Sequence, residues 1–326
     1  MPDYSDILKA IDEAIENFNS KIPAAQKRAF EGIAEELKRL DTSKGKIKTT
    51  VNNLRIIQSI KNKLVRLIVT PEYIKDVKEF VTWFNEITKL QNAYWQSVEK
   101  DFSPRPLLRE VRRQAIDDTI KNLTHSGIGS TISEQVANIL RTNITTGGSY
   151  AALTEQLREK LLNTETEGSL QKYTRQITTD SINQYNAQYT QTVSSDLGFE
   201  WYAYQGSEIQ TSRPFCQAMV ENNRYFHISQ VPNLLKGLDA QGNRLKYKDN
   251  KTDENLTVEI YSKTDLPHGF IPGTNAANFF INRGGYFCGH QARPVSERVV
   301  PIEVREFVYA TTAYKNWKNI HWHSSA

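Results

Sequence analysis

Cysteine is almost absent: Cys216 and Cys288 are the only two in 326 residues. Two cysteines cannot build the disulfide framework of a small secreted domain, which leaves one bridge, two packed thiols or metal ligation. There is no run of 18 apolar residues, so the sequence offers no helix to span a membrane. The opening stretch, MPDYSDILKAIDEAIENF, is acidic and amphipathic, without the basic start and apolar core of a signal peptide. The expectation is a protein made and kept in a reducing cytoplasm, at least until it enters an assembly. Phosphate-cradling glycine loops are missing as well. Gly147-Gly148 and Gly284-Gly285 lack the flanking residues such loops need, which argues against a nucleotide-driven motor. No pair of carboxylates presents itself for acid–base catalysis.

What is present begins with length and charge. A chain of 326 residues favours two domains, or one with a long extension. Apolar residues make up 38%, enough for real cores but low for a compact chain, so part of the surface is expected to need a partner. The net charge of +4 permits contact with nucleic acid without demanding it. Its distribution says more, because Thr42 to Thr70 holds seven Lys or Arg and no Asp or Glu.

Periodicity divides the chain into four regions. Residues 1–125 read as successive helices, with Ile7, Ile11, Ile15 and Phe18 at spacings of three and four. A second helix carries Phe30, Ile33, Leu37 and Leu40, and Ser43-Lys44-Gly45-Lys46 reads as a turn. A basic helix from about Gly45 to Val69 sets Leu54, Ile57, Ile60, Leu64 and Ile68 against Lys48, Arg55 and Arg66 on its other side. These three cations are the candidates for contact with DNA phosphates or an acidic partner, against the plainer reading of a solvated face. Pro71 stops one helix or starts the next, and Ser103-Pro104-Arg105-Pro106 is a break. The main boundary is placed between that break and a turn at Gly127-Ile128-Gly129.

Residues 126–198 form a helical middle region, ending in a helix from about Leu170 to Leu197 that Gly198 caps. Residues 199–300 form a small, loop-rich mixed module that opens on an alternating aromatic strand, Phe199 to Tyr204. Residues 301–326 are an aromatic tail, either a docking peptide or packed on its own domain. The fold class is therefore α+β and mostly helical: extended helical N-terminal and middle regions, then the small module with short strands.

The strongest chemical feature pairs Thr211-Ser212-Arg213-Pro214-Phe215-Cys216 with Tyr286-Phe287-Cys288-Gly289-His290. Cys288, His290 and Cys216 suit zinc, which takes four Cys or His ligands in loop-rich modules that lack an adequate core. The fourth ligand is assigned to His227, eleven residues after Cys216, in preference to His268. Packed thiols remain the plain alternative. Nucleophilic catalysis by either cysteine with a nearby histidine finds no local signature.

The order of these pieces resembles the head-morphogenesis family, the phage minor head proteins of the Mu F type. In that family an Arg-Thr-rich helix leads to a strand with a Gly shortly before a Trp. An Arg-x-x-Cys or Arg-x-x-His step follows, and a closing Cys-x-Cys or Cys-x-His comes near a proline-bounded strand. Here these are Arg175 with Thr178-Thr179-Asp180, then Asn186-Ala187, Gly198 before Trp201, Arg213-Pro214-Phe215-Cys216, and Cys288-Gly289-His290-Gln291-Ala292-Arg293-Pro294-Val295. The match covers about residues 130–300. The chain departs from the pattern in its terminal Cys-x-His, in a longer stretch between Tyr225 and Asn282, and in an upstream acidic residue that is Glu208 or absent.

The resemblance implies a structural protein with few copies per particle, held at the portal inside the capsid and acting in head morphogenesis, DNA packaging or ejection. It implies the phage portal protein, other capsid proteins or further copies of the chain as partners, and packaged double-stranded DNA as a possible contact, with no membrane and no catalysis. Its place would be the virion, and the host cytoplasm during assembly. The contrasting expectation is a zinc- or cysteine-dependent hydrolase carried in the virion. That enzyme would need an open metal position and a general base. A host-encoded DNA-binding protein lacks a recognisable reading helix.

Overall fold

The computed structural model describes residues 3–162, 168–206 and 212–322. Glu208 and Thr211 lie outside the described residues, as do the last four residues of the aromatic tail. The chain divides into two compact units, Met1–Ile182 and Asn183–Ala326.

The first unit is a helical assembly: α1 (Tyr4–Asn19), α2 (Ile22–Leu37), α3 (Val51–Ile68), α4 (Pro71–Val98), α5 (Pro106–Leu123), α6 (His125–Thr145), α7 (Tyr150–Leu162) and the start of α8 (Ser169–Asp196). Asp3 opens α1 with a capping box completed by Asp6, satisfying amides at the helix start. Its apolar stripe, Ile7, Ile11, Ala14 and Phe18, is buried. The Phe18 ring lies 5.4 Å from Phe80 of α4, and Tyr4 lies 5.4 Å from Tyr94 at the other end, so the two helices run antiparallel. α4 and α5 each begin on a proline, which needs no amide partner there.

Between α2 and α3 a two-residue turn, Lys44 (φ 47°) and Gly45 (φ 75°), joins the short strands β1 (Thr42–Ser43) and β2 (Lys46–Ile47). Buried Asn53 ties this hairpin to α3, donating to the carbonyls of Asp41 (3.0 Å) and Lys48 (2.7 Å) and accepting from the Asp41 amide (2.8 Å).

Three expectations are corrected here. First, the middle region is not a separate body, because α6 packs on α3 and α7 on α2. Gly127 and Gly129 sit inside α6, and a Cβ on Gly127 would come within 2.0 Å of the Asn122 carbonyl oxygen. That glycine permits close packing rather than a turn. The unit boundary instead falls inside α8, between Ile182 and Asn183. Second, the surface expected to need a partner does not include the main apolar stripes of the N-terminal helices. Ile33, Leu37, Ile60, Leu64, Ile68, Phe80, Phe84 and Ile87 are all buried within the unit. Third, Lys48 is not on the basic helix, since α3 begins at Val51 behind the cap of Thr50. Leu54, assigned to the apolar side, is 40% exposed.

The second unit takes the rest of α8 and the mixed module. Its strands and helices are β3 (Trp201–Gln205), α9 (Pro214–Glu221), β4 (Tyr225–His227), α10 (Val231–Leu234), β5 (Lys246–Lys248), β6 (Asn255–Thr257), β7 (Ile260–Tyr261), β8 (Leu266–Pro267), α11 (Phe279–Asn282), β9 (Gln291–Val295), α12 (Ile302–Tyr309) and α13 (Thr312–Trp322). Gly198, with φ 70°, ends the preceding helix, and the aromatic strand follows as expected.

β3 is the centre of an antiparallel sheet ordered β4-β3-β9, with Trp201 opposite both His227 and Val295, and Tyr204 opposite Ala292. Pro294, which has no amide to give, is tolerated because β9 is an edge strand. Alternation gives the sheet two different faces. Tyr202, Tyr204, Phe226 and Ala292 face a core with Phe215, Cys216, Phe279, Phe280 and Cys288. Trp201, Ala203 and Val295 face another, with Val300, Val308, Tyr309 and Tyr314. The aromatic tail thus packs on its own unit, where α12 and α13 cover the second face.

Candidate metal centre

Two loops bring the chemistry together on the first face. Cys216 sits in the first turn of α9, placed by Pro214 at the helix start. Cys288 and His290 come just before β9. The loop leading to them follows α11 and closes against the thiols because Gly284 and Gly285 carry no side chain. A Cβ on Gly284 would lie 2.3 Å from Cys216 Sγ and 3.1 Å from Cys288 Sγ, and one on Gly285 would lie 1.9 Å from the Gly269 carbonyl oxygen. Arg213 fastens this loop to the start of α9, donating from Nη1 to the Gly284 carbonyl at 3.0 Å and from Nη2 to that of Tyr286. The Arg of the Arg-x-x-Cys step therefore positions the loop that carries the second cysteine.

Both thiols are free and buried, with Sγ atoms 3.8 Å apart, too far for a disulfide bond of about 2.05 Å. His290 Nδ1 lies 3.9 Å from Cys288 Sγ. One ligand atom from each of Cys216, Cys288 and His290 falls within 4.8 Å of the other two, so the cluster can hold a metal ion.

The spacing fits a metal. Two thiolates about 2.3 Å from one tetrahedral ion stand about 3.8 Å apart, and a thiolate and an imidazole nitrogen about 3.6 Å apart. Among the described residues the buried imidazole also has no conventional hydrogen bond: Nδ1 faces only the Cys288 sulfur, and Nε2 has no partner. An ion beside Nδ1 would supply what is missing on that side. A hydrogen bond couples the two thiols. The hydrogen bond from Cys216, then that from His290 and the positive charge of Arg283, hold Cys288 well below the ordinary thiol range. Cys216 is pushed up by that same bond and by burial. A thiolate already favoured at one ligand suits metal binding.

His227 is not in this cluster, which corrects its assignment as fourth ligand. It lies opposite Trp201 on β4, and side chains opposite one another in an antiparallel pair share a face. That face is the one away from the cysteines. There the ring is boxed by Trp201 (5.2 Å), Tyr314 (5.1 Å) and Trp317 (4.7 Å). Its Nδ1 accepts from the Ser229 amide (3.1 Å), and Nε2 lies 3.5 Å from a Glu200 carboxylate oxygen. Burial lowers its pKa to about 4. His268 is exposed at the β7–β8 hairpin, edge-on to Tyr261, and is no ligand either.

Two residues at the site were not anticipated. Tyr204 of β3 is fully buried, with its hydroxyl 3.5 Å from Cys216 Sγ and 3.9 Å from Cys288 Sγ. Arg283 is 2% exposed, bonded through Nη1 to Gln291 Oε1 and through Nη2 to the Asn183 carbonyl at 3.3 Å. The even positions of β3 were a signal for Tyr204, since alternation puts it on one face with Tyr202.

The candidate phosphate-contacting cations lie in the other unit. Lys48, Arg55 and Arg66 are all exposed. Two more cations of the same run are neutralised within the fold, Lys61 by Glu134 and Lys63 by Glu36 at 2.8 Å. Among the described residues no helix is long and apolar enough to cross a membrane. No protein-family profile, no curated protein and no solved structure matches this chain.

Proposed function

We propose that this chain is a structural minor head protein of a tailed bacteriophage, of the head-morphogenesis type, with a structural zinc ion held by Cys216, Cys288 and His290. The carrying observation is the meeting of the two motif segments. Cys216 and Cys288, 72 residues apart in sequence, have adjacent sulfurs, with His290 beside them. The family resemblance rests on the order of these same segments, and a reason for that order is that they build one staple. Zinc is preferred to calcium or magnesium because the donors are sulfur and imidazole nitrogen.

Its proposed place is at the portal inside the capsid, with the portal protein, other capsid proteins or further copies as partners. Arg55 and Arg66, with Lys48 just before their helix, are the proposed contacts to packaged double-stranded DNA. The alternative of a hydrolase carried in the virion is less well supported. All three candidate ligands are buried, which gives a substrate no approach, and no carboxylate joins the group among the described residues.

The test is to purify tailed particles from cells expressing the gene in its phage and to quantify the chain against the major capsid protein. A few copies per particle, retained on the portal in pull-downs of the co-expressed full-length proteins, are expected. Absence from particles together with hydrolytic activity of the free protein would reverse the assignment.

A further inference from the structure

A closed structural zinc site uses four protein ligands, and the cluster described so far supplies three. Neither His227 nor His268 reaches it. Tyr204 does. Its buried hydroxyl has the two cysteine sulfurs as neighbours, at 3.5 and 3.9 Å. An oxygen ligand and a thiolate on one tetrahedral zinc ion stand about 3.5–3.7 Å apart. The Tyr204 ring is stacked on that of His290, centroids 5.7 Å apart and planes 19° apart, so phenol and imidazole present their polar edges to the sulfurs side by side. Thus four of the six separations, the Sγ–Sγ, the Cys288 Sγ–His290 Nδ1 and both Sγ–O distances, approximate edges of one tetrahedron.

Charge gives an independent reason. Among the described residues Arg283 is a buried cation bonded to the neutral Gln291 side chain and Asn183 carbonyl, and its Nε has no partner. A buried charge is stable only when something balances it. Burial and the two neighbouring cysteines push the Tyr204 hydroxyl well above the ordinary phenol range, and Arg283 is close enough for its charge to oppose that at Tyr204 and to act on Cys288 as well. Zinc with two thiolates and a neutral imidazole carries no net charge and would not offset the charge of Arg283. A phenolate as fourth ligand adds one negative charge, which Arg283 neutralises.

We propose that the Tyr204 oxygen is the fourth ligand, making a site of two cysteines, one histidine and one tyrosine whose negative charge is held by Arg283. This rests on the metal reading above, and its test separates the two. Full-length protein stripped of metal is titrated with zinc alone and followed by ultraviolet difference absorption. The tyrosinate band, at longer wavelength than that of the phenol, should rise in step with zinc and stop at one equivalent per chain. Tyr204→Phe should bind zinc without the band. Its affinity should fall by at least roughly 10- to 100-fold, the range seen when an outer group that only orients the ligands is removed. Arg283→Met should weaken zinc binding while keeping the band. Zinc binding by the wild-type chain without a tyrosinate band would overturn the tyrosine ligand and leave the three-residue site standing. A band that survives in Tyr204→Phe would also overturn it. A wild-type chain that binds no zinc would overturn both. If Tyr204→Phe does not fold, the wild-type titration alone still decides.

Discussion

Each unit is held together internally by its own kind of contact. The first buries apolar stripes of helices against one another, and the polar groups it encloses are uncharged amides and hydroxyls such as Asn19, Asn53 and Thr178. The second encloses two thiols, two histidines, an arginine and several tyrosine hydroxyls around one three-stranded sheet. Helical stripes are self-sufficient: once α1 meets α4, or α3 meets α6, burial alone drives the packing. A buried cluster of titratable groups is stable only if each charge and lone pair finds a partner. The second unit should therefore respond to metal and, more than the first, to pH, and the first should respond most to changes in its apolar side chains.

The largest expected difference is at the thiols. Structural zinc in small domains contributes about 10–16 kcal/mol of apparent binding free energy, which is also folding free energy. Cys288→Ser should thus cost the second unit more than any single core truncation costs the first. In thermal melts the variant should lose near-ultraviolet signal from the tryptophans and tyrosines of the second unit, while most helical signal persists. Equal loss of both signals would erase the contrast. Next in size, Leu64→Ala in α3 should destabilise the first unit by about 2–5 kcal/mol. Because Leu64 is fully buried among apolar neighbours, chelator should not change that cost, as urea titrations with and without it would reveal.

How far this contrast could be read from sequence follows from the same physics. The helices were legible because apolar side chains recur every three or four residues, and Pro71, Pro106 and Gly198 punctuate them where expected. The boundary between units was not, because it falls inside α8, where helical periodicity runs on unchanged. Gly127 misled because a glycine that admits a neighbouring backbone is indistinguishable in sequence from one that makes a turn. Cys216, Cys288 and His290 were identifiable from residue type and the tight Cys-x-His step. His227 was not excludable, since closeness in sequence to Cys216 does not say which face of a strand a side chain takes. Arg283 gave no signal, because an arginine is ordinarily a surface residue.

His227 sharpens the comparison through pH. Its folded pKa of about 4 lies below the unfolded value of about 6.5. The unfolded chain therefore binds the extra proton first, and stability falls with acidity. The contribution is fully present above about pH 6.5 and is lost progressively as pH falls towards 4, amounting to about 3 kcal/mol. His227→Phe should flatten that slope in the second unit between pH 6.5 and 4. An unchanged slope would mean that another group carries it.

The smallest effect is expected on the exposed cations. Replacing Lys48, Arg55 and Arg66 with Glu should leave the melting of both units within about 0.5 kcal/mol. It should reduce both DNA affinity and its salt dependence if these side chains meet phosphate. Affinity unchanged by the triple substitution would return them to a solvated face.

The most direct test of the central claim, that the second unit is organised around a metal ion, is metal content by mass spectrometry of the native full-length chain purified without chelator. One zinc per chain, absent from Cys216→Ser and Cys288→Ser proteins, is the predicted result. A metal-free wild-type chain, folded and with the same melting curve before and after zinc is added, would contradict it.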